Sequence, residues 1–192
     1  MAADEELFQE WQFGSVAALE TLVQRYHAPL VAHLYRLVGD AHLAEDLAQD
    51  TFVRLVRDAH AYRYPRPFWP WLYTIAHHLA QSNHASAYHR HVELRADLPE
   101  TFAPDPDPAE WLERWEQHHD LQKALAQLNF EQREVLSLRF GQERSIKESA
   151  AVLGIPAGTV KSRTFTALRL LRMYLEQETP TSVDEQGDHC RG

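Results

Sequence analysis

The sequence has few of the residues that mark disulfide-rich, membrane-spanning or turn-rich β proteins. Its 192 residues include one cysteine and seven glycines. A lone cysteine, Cys190, has no intramolecular partner, which suits a reducing compartment. No apolar run approaches the roughly 20 residues that span a bilayer, and the acidic start lacks a signal-peptide pattern. We therefore expect a soluble, cytoplasmic protein built from helices.

Patterns typical of catalytic and cofactor sites are also missing. There is no Ser/His/Asp elbow, P-loop or glycine-rich nucleotide fingerprint, so we expect no enzymatic activity and no cofactor. Twelve histidines could suggest a metal. However, no two of them stand three or four residues apart, the separations that place two ligands on one helical face. Zinc also usually recruits cysteine or a His-x-x-x-His pair, so we predict no metal site.

Charge is distributed unevenly along the chain. The net charge is -9, whereas a protein that holds DNA unaided usually carries a basic surplus. Residues 98–122 contain seven acidic residues and one basic residue. Residues 123–174 contain nine basic residues and four acidic ones. The acidity of the whole chain therefore does not exclude DNA binding by the basic segment.

One stretch, "LPETFAPDPDPAE" over Leu98–Glu110, separates two helical halves. Its four prolines and four acidic residues cannot continue a helix or build a core, so it is predicted to be an extended linker. We predict an all-α fold with two small helical domains, residues 1–97 and 111–178. An acidic, proline-rich linker over 98–110 joins them, and residues 179–192 form a disordered tail.

Helix boundaries follow from capping residues and breakers. In the first domain, Ser15 caps one helix, Pro29 breaks it, Gly39 ends the next and Asp40 caps the one over 41–62. A long helix over 68–90 follows the "YPRP" breaker. In the second domain we predict helices over 109–128, 131–140, 146–153 and from about 157 to 177. "SIKE" at 145–148 matches a capping box.

The end of the second domain has the spacing of a helix–turn–helix, "SIKESAAVL", "GIP" and "AGTVKSRTFTALRLLRMYL". Periodicity predicts that the final helix packs inward through Val160, Thr164, Ala167, Leu168, Leu171 and Leu175. Ser162, Thr166 and Arg169 then face outward, where such side chains can contact bases or phosphates. A helical hairpin with a solvated basic face fits the same spacing equally well.

A second candidate surface lies in "AEDLAQDTFVRLV". Leu43, Leu47, Thr51, Leu55 and Val56 form the predicted inward stripe, and Glu45, Asp46, Gln49 and Asp50 form an outward face. Acidic residues near a helix N-terminus are favoured by its dipole. However, an i,i+4 pair of like charges, here Asp46 and Asp50, costs about 0.2–0.5 kcal/mol. A basic partner surface would offset that cost, so a binding face and a solvated face both remain open.

The third candidate is the aromatic helix over 68–90. Phe68, Trp71, Leu72, Ile75 and Leu79 form its predicted core face. Outward-facing positions are predicted for Trp69, Tyr73, His77 and His84. Aromatic rings among hydrogen-bonding groups suit stacking on unpaired bases, and surface aromatics without a ligand are the alternative.

These three stretches, in this order around this linker, resemble a bacterial RNA polymerase sigma factor of the extracytoplasmic-function (ECF) group, over nearly the whole chain. "GDAHLAEDLAQDTFVRL" resembles the helix that binds core polymerase, and "FWPWLYTIA" resembles the promoter-melting segment. "LNFEQREVLSLRF" and "SIKESAAVLGIPAGTVKSR" resemble the domain that reads the −35 element. The resemblance implies a non-catalytic transcription initiation factor with core RNA polymerase, promoter DNA and an anti-sigma factor as partners. It also implies that the acidic linker runs toward the polymerase active-site channel.

The resemblance assigns site residues position by position. For core polymerase binding these are Glu45, Asp46, Leu47, Gln49, Asp50 and Phe52. For the −10 element they are Trp69, Tyr73, His77, His78, Asn83, His84 and Arg90. For the −35 element they are Ser145, Thr159, Lys161, Ser162, Arg163, Thr166, Arg169 and Arg172.

The chain departs from the family pattern at Thr164, Thr166 and Leu168 of the final helix, at Ser149, and at several histidines. The family commonly has Arg-Asn, then Asp, then several arginines after "TIA", where this chain has His77, His78, Ser82 and further histidines. We therefore hypothesise that promoter opening strengthens as the pH falls from about 7.5 to 6, through protonation of His77, His84, His89 and His91. The alternative is that these histidines only hydrogen-bond or stack.

Two rival functions remain open. One is a sigma-like decoy that binds an anti-sigma factor, and the other is a free-standing helix–turn–helix regulator.

Overall fold

The structure is a computed structural model that describes residues 3–90 and 122–178. For residues 87–90 and 175–178 it describes the backbone only. Within these ranges the chain forms helices and no strand, which confirms the all-α prediction. The helices are α1 (Asp4–Gln12), α2 (Val16–Val38), α3 (Ala41–Arg57), α4 (Phe68–Arg90), α5 (Phe130–Leu136), α6 (Ile146–Leu153) and α7 (Ala157–Glu178). Residues 122–126 are also helical. A 3-10 turn spans Ala59–Ala61 and a π-helical turn spans Ser137–Gly141.

Most of the predicted helix ends are confirmed by their caps. Ser15 accepts a hydrogen bond from the backbone N–H of Ala18, and Asp40 accepts one from that of Leu43 at 2.9 Å. Gly39 ends α2 with φ 76°, a left-handed conformation that glycine adopts without a Cβ penalty. The capping box at 145–148 is present at the start of α6.

Other boundary predictions are wrong. Pro29 lies inside a continuous α2 and does not break it, because buried side chains on both sides, such as Tyr26 and Leu30, hold the helix against the core. Helix α3 ends at Arg57, five residues earlier than predicted, and α1 was not predicted at all. The predicted linker over 98–110, the tail and residues 109–121 of the helix predicted over 109–128 lie outside the described residues.

The first domain packs α1 to α4 around an apolar core. Phe8, Leu22, Leu30, Leu34 and Phe68 are 0–1% exposed. Tyr62 and Trp71 complete an aromatic cluster around Phe8, with ring centroids 4.8 and 5.2 Å from it. Of the predicted inner face of α4, this core buries Phe68 and Leu72, whereas Trp71, Ile75 and Leu79 pack against it half-buried.

The second domain packs residues 122–136 against the helix–turn–helix formed by α6 and α7. Leu125, Leu128, Leu136 and Ala167 form its own cluster, which Leu170 and Leu171 join. Leu168, predicted to face inward, is 41% exposed. This prediction is wrong because α7 meets residues 122–136 through Ala167, Leu170 and Leu171, which turns Leu168 toward solvent.

The two domains pack directly on each other, and α4 lies between them. Phe68 and Leu72 of α4 share one buried cluster with Val135, Leu138 and Val152 of the second domain. Buried polar contacts cross the same boundary, including His33 Nδ1 to Ser137 Oγ at 2.8 Å. We call this packing the closed arrangement.

Candidate functional site

Helix α3 presents an exposed acidic surface next to the first-domain core. Asp46, Gln49 and Asp50 are exposed, as predicted. Val53, one turn beyond Asp50 and not among the predicted site residues, is 65% exposed. We call these four residues the docking face. This exposed valine offers an apolar contact beside two carboxylates. Its place on the same face could have been predicted from the sequence, because it lies three residues after Asp50 on the helix.

The remaining residues predicted to bind polymerase are less accessible. Glu45 is half-buried and pairs with His27 at 2.9 Å. The Phe52 ring stacks on the same histidine with centroids 6.4 Å apart. Leu47 is 5% exposed and packs in the core, so it supports the helix without reaching its surface. Val56, predicted to face inward, is 45% exposed, because it lies about 100° around the helix from the buried Leu55.

The outward face predicted for α4 is buried beneath the second domain. Trp69, Tyr73 and His77 are 6%, 0% and 6% exposed. The prediction that they face solvent is wrong because α4 is covered on two sides, by the first-domain core and by the second domain. A helix with apolar residues all round is typically buried on more than one side. In α4 this pattern includes Ala76 and Ala80, which are both fully buried.

Specific contacts hold these three side chains. The Arg144 guanidinium lies 4.1 Å from the centroid of the Trp69 ring, and that ring stacks on Tyr73 at 4.5 Å. The Tyr73 hydroxyl donates to Gln142 Oε1 at 2.7 Å, and burial raises the pKa of Tyr73. His77 Nδ1 hydrogen-bonds the buried carboxylate of Glu134. Apart from the stacking of Trp69 on Tyr73 within α4, the partners named here come from the second domain.

The last predicted −10 residues lie nearer the surface. His78 is exposed, and its pKa is lowered by partial burial and by the neighbouring His77 and Arg54. Asn83 is half-buried. His84 is exposed but stacks on Phe130, with ring centroids 4.6 Å apart. The side chains of Arg90 and His89, and all of His91, lie outside the described residues.

The polar face of helix α7 is exposed to solvent in the closed arrangement. Ser162, Thr166 and Arg169 are exposed, as are Lys161 and Arg172 at its edges. We call the first three the recognition face. Phe165 is 69% exposed among them, so the surface combines hydroxyls, cations and one aromatic ring. These groups suit contacts with both phosphates and base edges.

Two other predicted −35 residues serve the helix–turn–helix itself. Ser145 caps α6, since its hydroxyl accepts from the backbone N–H of Glu148 at 3.2 Å and donates to the Glu148 carboxylate. The Thr159 carbonyl accepts from Ser162 Oγ at 3.1 Å. Ser149, fully buried in α6, satisfies its hydroxyl on the Ser145 carbonyl at 3.0 Å. Burial of this serine is therefore compatible with the core.

Arg163 does not lie free on the recognition helix. Its Nη2 lies 2.8 Å from the Glu131 carboxylate at the start of α5. Glu131 was not among the predicted site residues, because no sequence pattern relates positions 32 residues apart on different helices.

Two further features were sought in the part of the chain that the structure describes, a cluster of metal ligands and a membrane-spanning helix. Across residues 3–90 and 122–178, no three His, Cys, Asp or Glu side chains cluster in a way that could hold a metal ion. None of the helices in those ranges is long and apolar enough to cross a membrane.

Comparison with known proteins matches both halves of the chain. The Sigma-70 region 2 family matches residues 22–90, and the Sigma-70 region 4 family matches residues 124–173. The ECF RNA polymerase sigma factor SigL of Mycobacterium tuberculosis is 34% identical over 174 residues, which cover 85% of this chain and 92% of that protein. The ECF RNA polymerase sigma factor BldN of Streptomyces coelicolor is 29% identical over 174 residues, covering 90% of this chain and 66% of that protein.

The fold also matches that of a sigma factor whose structure was solved in a complex. The sigma factor RpoE from Bartonella quintana, in complex with the anti-sigma factor NepR, gives a TM-score of 0.69 at 25% identity, covering 85% of this chain and all of that one. The region 2 match contains α3 and α4, and the region 4 match contains the helix–turn–helix. The chain therefore belongs to the ECF group of RNA polymerase sigma factors, non-enzymatic transcription initiation factors that bind core polymerase and direct it to promoters.

Proposed function

We propose that the docking face of α3 binds core RNA polymerase and that the recognition face of α7 reads the −35 element. The main observation behind this division is that both faces are exposed, while Leu47, Thr51 and Leu55 of α3 and Val160 and Ala167 of α7 are buried. A basic polymerase surface would offset the repulsion between Asp46 and Asp50. Because core polymerase is an intracellular enzyme, we propose that the protein acts in the cytoplasm.

The docking face can be tested by charge reversal. Asp46→Arg should weaken holoenzyme formation strongly, because it replaces attraction to a basic surface by repulsion. The measurement is competition for purified core polymerase against labelled wild-type protein. Glu20→Arg, a reversal at an exposed position on α2, is the matched control and should compete like the wild type. Equal competition by Asp46→Arg and wild type, with helicity unchanged, would overturn the assignment.

We further propose that the −10 element is read by Trp69, Tyr73 and His77 after the two domains separate. The promoter elements are named for positions 25 apart, and DNA rises about 3.4 Å per base pair, so their centres lie roughly 85 Å apart. Domains packed as in the closed arrangement cannot reach both elements. Opening frees the α4 face, which lies beneath the second domain.

Two buried donors support a separable contact between the domains. Arg36 Nη1, which lies against Gly141, and Arg144 Nε are buried and make no hydrogen bond in the described structure. An unsatisfied buried donor costs about 1–3 kcal/mol, and separation of the domains relieves that cost by exposing both groups to water. The closed arrangement is therefore a resting state that polymerase or DNA can open.

We propose that an anti-sigma factor regulates this protein. Support comes from the similar RpoE fold, which was solved in complex with the anti-sigma factor NepR. Mixing the purified chain with a candidate anti-sigma factor should reduce its competition for core polymerase. Unchanged competition at saturating concentration would exclude that candidate.

A further inference from the structure

A shallow polar cleft lies between the start of α5 and the outward side of α7. Its volume is about 160 Å³, and amide, hydroxyl, carboxylate and guanidinium groups line it, from Asn129, Glu131, Gln132, Ser162, Arg163 and Thr166. Ser162 and Thr166 belong to the recognition face. DNA that is read by α7 therefore also passes over the cleft.

Most of the polar groups in the cleft are already engaged within the protein. Asn129 Oδ1 accepts from the backbone N–H of Gln132 at 2.9 Å, and Gln132 Oε1 accepts from that of Asn129 at 3.0 Å. Ser162 Oγ donates to the Thr159 carbonyl. The carboxylate of Glu131, whose side chain is 59% exposed, keeps acceptor capacity directed to solvent.

Arg163 makes an acidic group tolerable on a DNA-facing surface. An isolated carboxylate there is repelled by phosphates, whereas the ion pair at 2.8 Å neutralises it. The Arg163 side chain is 28% exposed, less than that of its partner. Arg163 therefore acts from the side of the helix and leaves the Glu131 oxygens outermost.

We propose that Glu131 is a specificity-determining residue of −35 recognition, held by Arg163 so that its carboxylate accepts a hydrogen bond from the N4 amine of a cytosine. Carboxylates pair with this amine in the major groove. Adenine also offers an amine, but its adjacent N7 acceptor repels a carboxylate, so cytosine is preferred. The inference rests on the proposed entry of α7 into the −35 major groove.

The test measures holoenzyme binding to promoter duplexes in which each base pair of the −35 element is replaced in turn. The wild type should prefer cytosine at one position by about 5- to 150-fold. Glu131→Ala should lose that preference and keep the others. Glu131→Gln should move the preference at this position toward adenine, because an amide pairs with the adenine N6 and N7 atoms.

Two controls separate this proposal from the function on which it rests. Thr166→Ala should change a different position of the same profile. If Thr166→Ala does so and Glu131→Ala matches the wild type at every position, the role of Glu131 is overturned and the function of α7 stands. If Thr166→Ala, Arg169→Ala and Glu131→Ala all leave the profile unchanged, α7 does not read the element and both proposals fail.

The role of Arg163 is tested by a double-mutant cycle. Arg163→Ala should weaken promoter binding more in the wild-type background than in the Glu131→Ala background, because only the former leaves an unpaired carboxylate near phosphate. Equal losses in both backgrounds would overturn the positioning by Arg163.

Discussion

At the scale of single residues, His33 couples the closed arrangement to proton concentration. It is 2% exposed and hydrogen-bonds Ser137 of the second domain. Burial, with further contributions from Arg36 and His77, lowers the pKa of His33 to about 3. The neutral ring also packs against Tyr73, with ring centroids 5.1 Å apart. Protonation therefore favours unfolded or opened states.

This residue predicts a loss of stability in mild acid. Because the folded-state pKa lies below the unfolded value of about 6.5, the contribution of neutral His33 is present above pH 6.5 and lost as pH falls toward 3. Between pH 7.5 and 5.5, the free energy of unfolding should fall by about 1.4 kcal/mol more in the wild type than in His33→Gln. Urea unfolding at the two pH values measures the difference. His42→Gln, at an exposed position, should keep the wild-type dependence, and a wild-type dependence in His33→Gln would contradict the account.

At the scale of helices, capping residues and apolar periodicity predicted most of the helix positions from the sequence. Ser15, Asp40 and the box at 145–148 each start a helix where predicted, because their side chains satisfy free backbone amides locally. The continuity of α2 through Pro29 could not be predicted, since it depends on burial of distant partners. The same limit applies to α4, whose second face is set by another domain.

Candidate site residues follow the same division. The exposure of Asp46, Gln49 and Asp50 depends on the phase of α3 alone and was predictable from the sequence. The pairing of Glu131 with Arg163 requires two helices to meet, so local periodicity does not reveal it. The burial of His77 against Glu134 likewise depends on packing between domains.

Helix α2 gives a prediction at this scale. Pro29 lies exposed in its interior and cannot donate the backbone hydrogen bond that continues the helix. Pro29→Ala should therefore raise the free energy of unfolding by about 2–2.6 kcal/mol, the gain in helix propensity less the added freedom of the unfolded chain. Chemical denaturation measures it.

The matched control for α2 is Pro70→Ala in the first turn of α4. The backbone N–H at that position has no intrahelical partner in any helix, so Pro70→Ala should change stability much less than Pro29→Ala. A loss of stability in Pro29→Ala would show that the proline conformation itself supports the domain contact, where the Pro29 carbonyl accepts from Gln142 at 3.1 Å.

At the scale of the whole molecule, the two surfaces that we propose to read DNA differ in accessibility in the closed arrangement. The recognition face is exposed, whereas Trp69, Tyr73 and His77 are covered by the domain that carries it. A protein with a net charge of -9 binds free DNA weakly. We propose that covering α4 further reduces binding to unpaired strands, until polymerase provides the basic surface and separates the domains.

Separation of the domains during promoter opening is the central claim, and energy transfer between two dyes tests it most directly. The dyes are placed at Glu20→Cys and Ala126→Cys, exposed positions in the first and second domains, with Cys190→Ser removing the native thiol. Transfer should be efficient in the free protein. It should fall sharply in the complex with core polymerase and a melted promoter, because the elements lie roughly 85 Å apart. Unchanged transfer in a complex whose promoter is open would contradict the account.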